Sequence, residues 1–194
     1  MTFKTGGFDL RDKAQKLYDK ITNTTADLPD SDALKKGILK ITMPDGTVYA
    51  RPLTDNMSIN LITGGIKSDV LFGGNGNDTI QGGDGKDLLI GGNGFDTYNA
   101  SDWDIIKDSD GKGNVYFRGH KLTGGKWSEI ENRYMSDDRA LRYELSNDGT
   151  LTVYDGMYNS ITIENFNKDR NDLDIVLLDP KDITVSISDN EMII

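Results

Sequence analysis

The spacing of apolar residues changes along this chain, and each change predicts a different element. Near the start, Leu10, Ala14, Leu17, Tyr18 and Ile21 recur at helical spacing with Asp9 placed as an N-cap, so a core-facing amphipathic helix is expected there. A polar linker follows as far as Asp30. ILKITM and TVYARPL then flank Pro44-Asp45-Gly46, a turn triplet between two half-apolar runs, and predict a hairpin. After Asp102 the segments NVYF, ALRYEL, TLTVYD, SITIENF, DIVLL and ITVSI alternate or run apolar between Asn, Asp and Gly turns. Asn147-Asp148-Gly149 marks a hairpin between ALRYEL and TLTVYD, and an antiparallel β cap is expected from this half.

Between these two regions the period is neither two nor 3.6. Residues 64–99 align in a strict nine-residue frame as GGIKSDVLF, GGNGNDTIQ, GGDGKDLLI and GGNGFDTYN. Six glycine-rich residues read as a turn and the last three as a very short strand, with Leu71, Ile80, Leu89 and Tyr98 in the eighth place pointing inward. Such a unit buries nothing alone, so successive units must stack, two of them completing one coil of a flattened parallel roll. Turns two repeats apart then become neighbours on one edge, Asp69 beside Asp87 and Asp78 beside Asp96. A glycine-rich linker would not hold aspartate and an aliphatic residue in this frame.

Composition sharpens that picture. The 22 glycines far outnumber the 4 prolines and concentrate between Gly64 and Gly94, where they allow positive φ and let carbonyls converge without a Cβ in the way. Six aspartates fall between Asp69 and Asp102, within a chain of net charge −10 and pI near 4.5. Carboxylates packed this densely call for a neutralising cation, and the balance argues against nucleic acid. With no cysteine and His120 as the single histidine, oxygen ligands are the only rich supply. Calcium takes six to eight oxygens at roughly 2.3–2.6 Å, which two turns can provide between them, whereas magnesium demands a tighter octahedron. The expected ligands are the carboxylates of Asp69, Asp78, Asp87 and Asp96, with carbonyls from the first-place glycines Gly73, Gly82 and Gly91 and from the third-place Asn75, Asp84 and Asn93. In the first repeat Ile66 and Lys67 replace pattern residues, so Asp78, Asp87 and Asp96 rank ahead of Asp69.

Other motifs favour plainer readings. GGDGKD lacks the Lys-Ser/Thr ending and the following helix of a phosphate loop. Asp108–Gly113 has lysine at the fifth place, and Gly119 stands where a helix-loop-helix calcium loop needs glutamate, so a β-turn is expected. His120 has no nucleophile constellation and reads as a surface or capping histidine. Trp103, Trp127, Tyr116, Phe117 and Tyr143 read as core of the β cap. No apolar run is long enough for a membrane span, and the N-terminal residues lack the apolar stretch of a secretory signal.

GGNGND, GGDGKD and GGNGFD resemble the calcium-binding nonapeptides of the RTX (repeats-in-toxin) proteins, over about a fifth of the chain. KDSDGKGNVYF, KLTGG and SITIENF resemble, less specifically, the stretch that follows such repeats. The resemblance implies a right-handed parallel β-roll that folds with calcium, a type I secretion apparatus as partner, and a bacterial protein that is secreted or held at the cell surface. It further implies an uncleaved export signal at the C-terminus. The expected fold is therefore mostly β: an N-terminal helix and hairpin cap over residues 1–60, a β-roll of about two coils over 61–100, and a C-terminal antiparallel β cap over 101–194. The expected role is a calcium-dependent folding and secretion module of a larger toxin, adhesin or exoenzyme, with no catalytic function in this segment. Two alternatives stand beside it, the tail of a secreted lipase or protease whose catalytic domain lies upstream, and an adhesive β module that binds a partner.

Overall fold

The computed structural model describes residues 38–43, 45–52 and 59–182. The helix expected over Leu10 to Ile21, the ITVSI strand and the terminal DNEMII lie outside the described residues. Among the described residues the regular structure is sixteen β-strands with three single-turn 3₁₀ segments.

β1 (Ile38–Thr42) and β2 (Val48–Pro52) form the expected antiparallel hairpin, with Ile38 opposite Pro52 and Thr42 opposite Val48. Its turn is closed by Gly46 N donating to Met43 O at 2.9 Å and Met43 N donating to Thr47 O at 2.8 Å. The chain then winds back and forth between two sheets. β4 (Val70–Asn75), β6 (Leu88–Asn93) and β8 (Ile105–Lys107) stack parallel on β2. The other sheet stacks β3 (Leu61–Thr63), β5 (Thr79–Gln81), β7 (Asp96–Ala100) and β9 (Gly113–Phe117), also parallel, with β10 (His120–Lys121) antiparallel at its edge.

Register follows directly from the repeat. Leu71 pairs with Leu89 and Ile80 with Tyr98, eighteen residues apart, because two nonapeptides make one coil. Inward side chains therefore stack as Ala50, Leu71, Leu89 and Ile106 on one sheet and Ile62, Ile80, Tyr98 and Val115 on the other, with the eighth-place residues Leu71, Leu89, Ile80 and Tyr98 among them. All eight are buried. Burial of one such aliphatic side chain contributes about 1.5–3 kcal/mol. With a single fully inward residue per nonapeptide the apolar core is thin, and the backbone ladders and the turns must supply the rest.

The winding is longer than the repeats alone imply. Each sheet receives four rungs, so the roll makes about four turns where about two were expected. β2 and β3 add a coil before the repeats and β8 and β9 add one after them. β3 keeps the separation of eighteen, Ile62 with Ile80, but the other three strands escape the nine-residue frame: Tyr49 pairs with Val70 at a separation of twenty-one, and Leu88 with Ile105 and Asp96 with Gly113 at seventeen. Strand pairing tolerates those offsets while the connecting turns absorb the extra or missing residues.

Beyond the roll, β8 pairs parallel with β15 (Asn159–Glu164), which continues antiparallel through β14 (Leu151–Asp155), β13 (Leu141–Leu145), β12 (Arg133–Met135) and β11 (Gly124–Ser128). β16 (Val176–Leu178) closes this sheet, parallel to β11. One sheet of eleven strands thus runs from the β1–β2 hairpin through the roll into the C-terminal meander. Phe117 and Tyr143 are buried in the core as expected, Trp127 packs against it edge-on to Tyr134, and Tyr116 is half-buried. Trp103 departs from that expectation: it is 57% exposed, at a φ of 74° in the tight turn before β8, where the backbone aims its side chain outward. His120 is exposed, as a surface histidine should be.

Candidate metal centre

The turns lie in two columns, one along each edge of the roll. Residues 64–69, 82–87 and 100–104 follow one another on the first edge, and residues 73–78, 91–96 and 108–113 on the second. In the full repeats the second and fourth places both adopt positive φ, at Gly74, Gly83 and Gly92 (97–106°) and at Gly76, Gly85 and Gly94 (119–129°). These conformations strain any residue with a Cβ. Gly65 and Lys67, in the same places of the first repeat, do not have positive φ, so that turn takes a different path. A lysine at the fourth place disfavours positive φ there.

Each turn folds its aspartate back over its own first glycine. Asp69 Oδ2, Asp78 Oδ2, Asp87 Oδ2 and Asp96 Oδ2 lie against Gly64, Gly73, Gly82 and Gly91 respectively, in the space a Cβ would fill. The neighbouring turn presents more oxygen to the same space, Gly82 O at Gly64 and Gly91 O at Gly73. The other oxygen of each carboxylate builds a ladder through backbone amides. Asp69 N donates to Asp87 Oδ1 at 2.8 Å, Asp78 N to Asp96 Oδ1 at 2.9 Å and Asp87 N to Asp104 Oδ1 at 2.9 Å. The expected neighbours, Asp69 with Asp87 and Asp78 with Asp96, are therefore adjacent.

All four repeat aspartates are buried, and so is Asp104. Their oxygens are not equally satisfied. Both oxygens of Asp69 accept backbone N–H groups, from Val48 at 2.5 Å and Gly65 at 2.5 Å. Asp78 Oδ1 accepts from Asn60 N and Nδ2 at 2.8 and 2.9 Å, yet Asp78 Oδ2, Asp87 Oδ2 and Asp96 Oδ2 are buried with no hydrogen-bond partner among the described residues. A buried anionic oxygen without a donor is costly. Burial accordingly pushes the Asp78 carboxyl above the usual range and the Asp87 and Asp96 carboxyls to about 7, with the charges of Asp104 and Asp69 adding to the rise at Asp87 and those of Asp108, Asp78 and Asp110 at Asp96.

These residues fit a calcium ion. The donors are oxygen only, the unpartnered oxygens ask for positive charge, and the glycines leave room for carbonyls to approach. Among the described residues no three His, Cys, Asp or Glu side chains cluster as a metal site, so an ion here must draw on glycine carbonyls as well as carboxylates. The third-place residues also form bonds between turns. Asn93 Nδ2 donates to Asn75 Oδ1 at 2.8 Å, and the Asn93 carbonyl accepts Gly76 N at 2.9 Å, so both residues tie adjacent turns together on the outer edge. Asp84 N donates to Gly65 O at 3.0 Å, and its side chain is exposed.

Comparison with protein families identifies the segment. Residues 63–98 match the RTX calcium-binding nonapeptide repeat in four copies. These RTX repeats bind calcium. They are a structural calcium-binding element and not a catalytic one, and the β-solenoid built on them has the form of a β-roll. No curated protein and no solved structure matches the chain. Among the described residues no helix is long and apolar enough to cross a membrane.

Two participants lie outside the repeat frame. Asp104 is fully buried in a turn one residue shorter than the repeats, and its signal in the sequence is the string Asp104-Ile105-Ile106, which mirrors Asp87-Leu88-Leu89. Asp108–Gly113 is a turn, as expected, and it sits next to turn 91–96. Gly94 N donates to Asp110 Oδ2 at 3.2 Å, and Tyr98 Oη donates to Asp108 Oδ2 at 2.6 Å.

Proposed function

We propose that the RTX repeats of this chain hold calcium between turns two repeats apart, and that ion binding folds the segment. The three buried aspartate oxygens without partners, at Asp78, Asp87 and Asp96, carry this reading. Without a cation the fold must bury those oxygens uncompensated, in a glycine-rich segment with one fully inward side chain per repeat, and backbone entropy opposes it. With calcium the same oxygens become ligands. In this reading the ion-binding roll occupies 61–100, flanked by an N-terminal cap over 1–60 and a β cap over 101–194.

The chain then acts as the calcium-dependent folding and export module of a larger type I secreted RTX protein. A calcium-poor cytosol leaves the roll unfolded and exportable. Outside, where extracellular modules bind calcium with dissociation constants of roughly 10⁻⁴–10⁻³ M, it folds and the step becomes effectively one-way. Circular dichroism of the full chain with and without millimolar calcium tests this, together with calorimetric titration. A gain of β signal and saturable heat are expected. An unchanged spectrum with no calcium bound rejects the reading.

A further inference from the structure

We infer that the calcium column continues past the nonapeptides on one edge of the roll, with an ion seated between turns 82–87 and 100–104 and held by Asp87 and Asp104. This rests on the calcium reading proposed above and adds a site that the repeat sequence does not contain. At each preceding turn the upstream aspartate presents Oδ2 beside its first glycine, and the downstream turn offers a glycine carbonyl to the same space. At Gly82 the carbonyl is replaced by a carboxylate. Asp104 Oδ2 lies 2.9 Å from the place a Gly82 Cβ would take, a place that Asp87 Oδ2 also crowds.

Two buried anionic oxygens are thus aimed at one small space. Asp87 is 1% exposed, and its Oδ2 has no hydrogen-bond partner among the described residues, while Asp104 is 0% exposed. The remaining donors near them are committed. Ser101 N donates to Asp104 Oδ2 at 2.8 Å, the Ser101 hydroxyl donates to Gly83 O, and Asp87 N occupies Asp104 Oδ1. No described basic side chain forms an ion pair with either carboxylate; the nearby Arg118 is engaged by Asp102 at 3.0 Å and Asp155 at 3.2 Å. Like charges in such proximity raise each other's cost unless a cation bridges them. A pair of carboxylate oxygens, with no nitrogen or sulfur ligand beside it, selects a hard divalent ion.

The inference is specific to one edge. In the corresponding place on the opposite edge, against Gly91, stands the hydroxyl of the buried Tyr98, committed to Asp108 Oδ2 at 2.6 Å. A phenol there fills space that the Gly82 turn leaves to its two carboxylates.

Calcium stoichiometry of the full chain, measured by equilibrium dialysis and calorimetry for wild type, Asp104→Asn and Asp78→Asn, separates the two levels of the reading. Asn at 104 keeps an acceptor for Asp87 N while removing the charge. The expected result is one calcium equivalent fewer in Asp104→Asn, with the calcium-induced β signal retained. An unchanged stoichiometry in Asp104→Asn overturns the inference while leaving the repeats' sites intact. A wild type that binds no calcium rejects the underlying reading as well. Should Asp104→Asn fail to fold, terbium luminescence decides, because Trp103 is adjacent in sequence to Asp104 and sensitises a lanthanide seated there. Trp103→Phe leaves the ligands untouched and is expected to lose most of the tryptophan-sensitised terbium emission. Emission equal to wild type places no ion beside Trp103 and overturns the inference.

Discussion

Asp69 and Asp78 hold the same place in their repeats and meet different surroundings. Asp69 has a backbone N–H on each oxygen, whereas Asp78 has one oxygen satisfied by Asn60 and the other buried and bare. Ion binding relieves a large desolvation cost at Asp78 and a smaller one at Asp69. Replacing Asp78 with Asn is therefore expected to move the calcium midpoint for folding upward by about tenfold or more, and replacing Asp69 with Asn to move it several times less. Calcium titrations followed by circular dichroism check the order, and equal shifts would refute it. Glycine makes a second residue-level demand. A Cβ on Gly85, at φ +129°, would lie 2.7 Å from Lys67 O, so both the conformation and the contact exclude a side chain. Gly85→Ala is expected to cost about 1–2 kcal/mol from the backbone conformation alone. Thermal denaturation in saturating calcium measures it, and a variant as stable as wild type would show that the turn has another conformation open to it.

At the scale of the element, one turn's carboxylate is the next turn's hydrogen-bond acceptor, so protons and calcium compete along a whole column. Burial is the first cause of the upward shifts, to about 7 at Asp87 and Asp96 and to about 6 at Asp104. A folded-state carboxyl with a raised value binds its proton more tightly than the unfolded chain does. The metal-free roll is consequently stabilised by acid, and that stability is lost as pH rises from the unfolded carboxyl range near 4 through about 7. Calcium must displace those protons, so its affinity should rise across the same window and level off above it. Comparing calcium midpoints near pH 5.5 and pH 8, we expect weaker binding at the lower value by about tenfold or more. A pH-independent midpoint would mean that the three carboxyls carry no protons to displace. The turns were legible in the sequence because the Gly-Gly-x-Gly-x-Asp frame encodes both the positive-φ positions and the charged oxygen. Asp104 was not, because its turn is shorter by one residue and lacks the glycines, and only the pairing of Leu89 with Ile106 places it in the column. The side-chain bond between the third-place asparagines left no signal for a related reason. Sequence gives their turn chemistry, but which neighbour meets Asn75 is decided by the stacking of coils.

Across the whole molecule, the roll and the C-terminal meander share one sheet and meet at Asp104. The Asp104 carbonyl accepts Thr162 N at 2.9 Å, Trp103 N donates to Ser160 O at 2.7 Å, and Ile106 pairs with Ile163, both buried. The last coil therefore gives β15 a parallel partner, and β15 continues into the antiparallel strands. Sequence foresaw an antiparallel region here from its alternating runs, yet the parallel junction of β8 with β15 escaped it, since a pairing across more than fifty residues leaves no local pattern. If calcium orders the turn at 100–104, it also orders the edge on which β15 lies, so the ion's influence should reach well beyond the repeats. Hydrogen exchange of the full chain with calcium and after chelation tests that coupling. Chelation is expected to increase exchange at the amides of Thr162 and Glu164 together with those of Ile105 and Lys107, while the far strands β12 and β13 change less. Exchange at Thr162 that ignores chelation while the repeat amides lose protection would show the meander folding on its own, with the roll added to an edge that already exists.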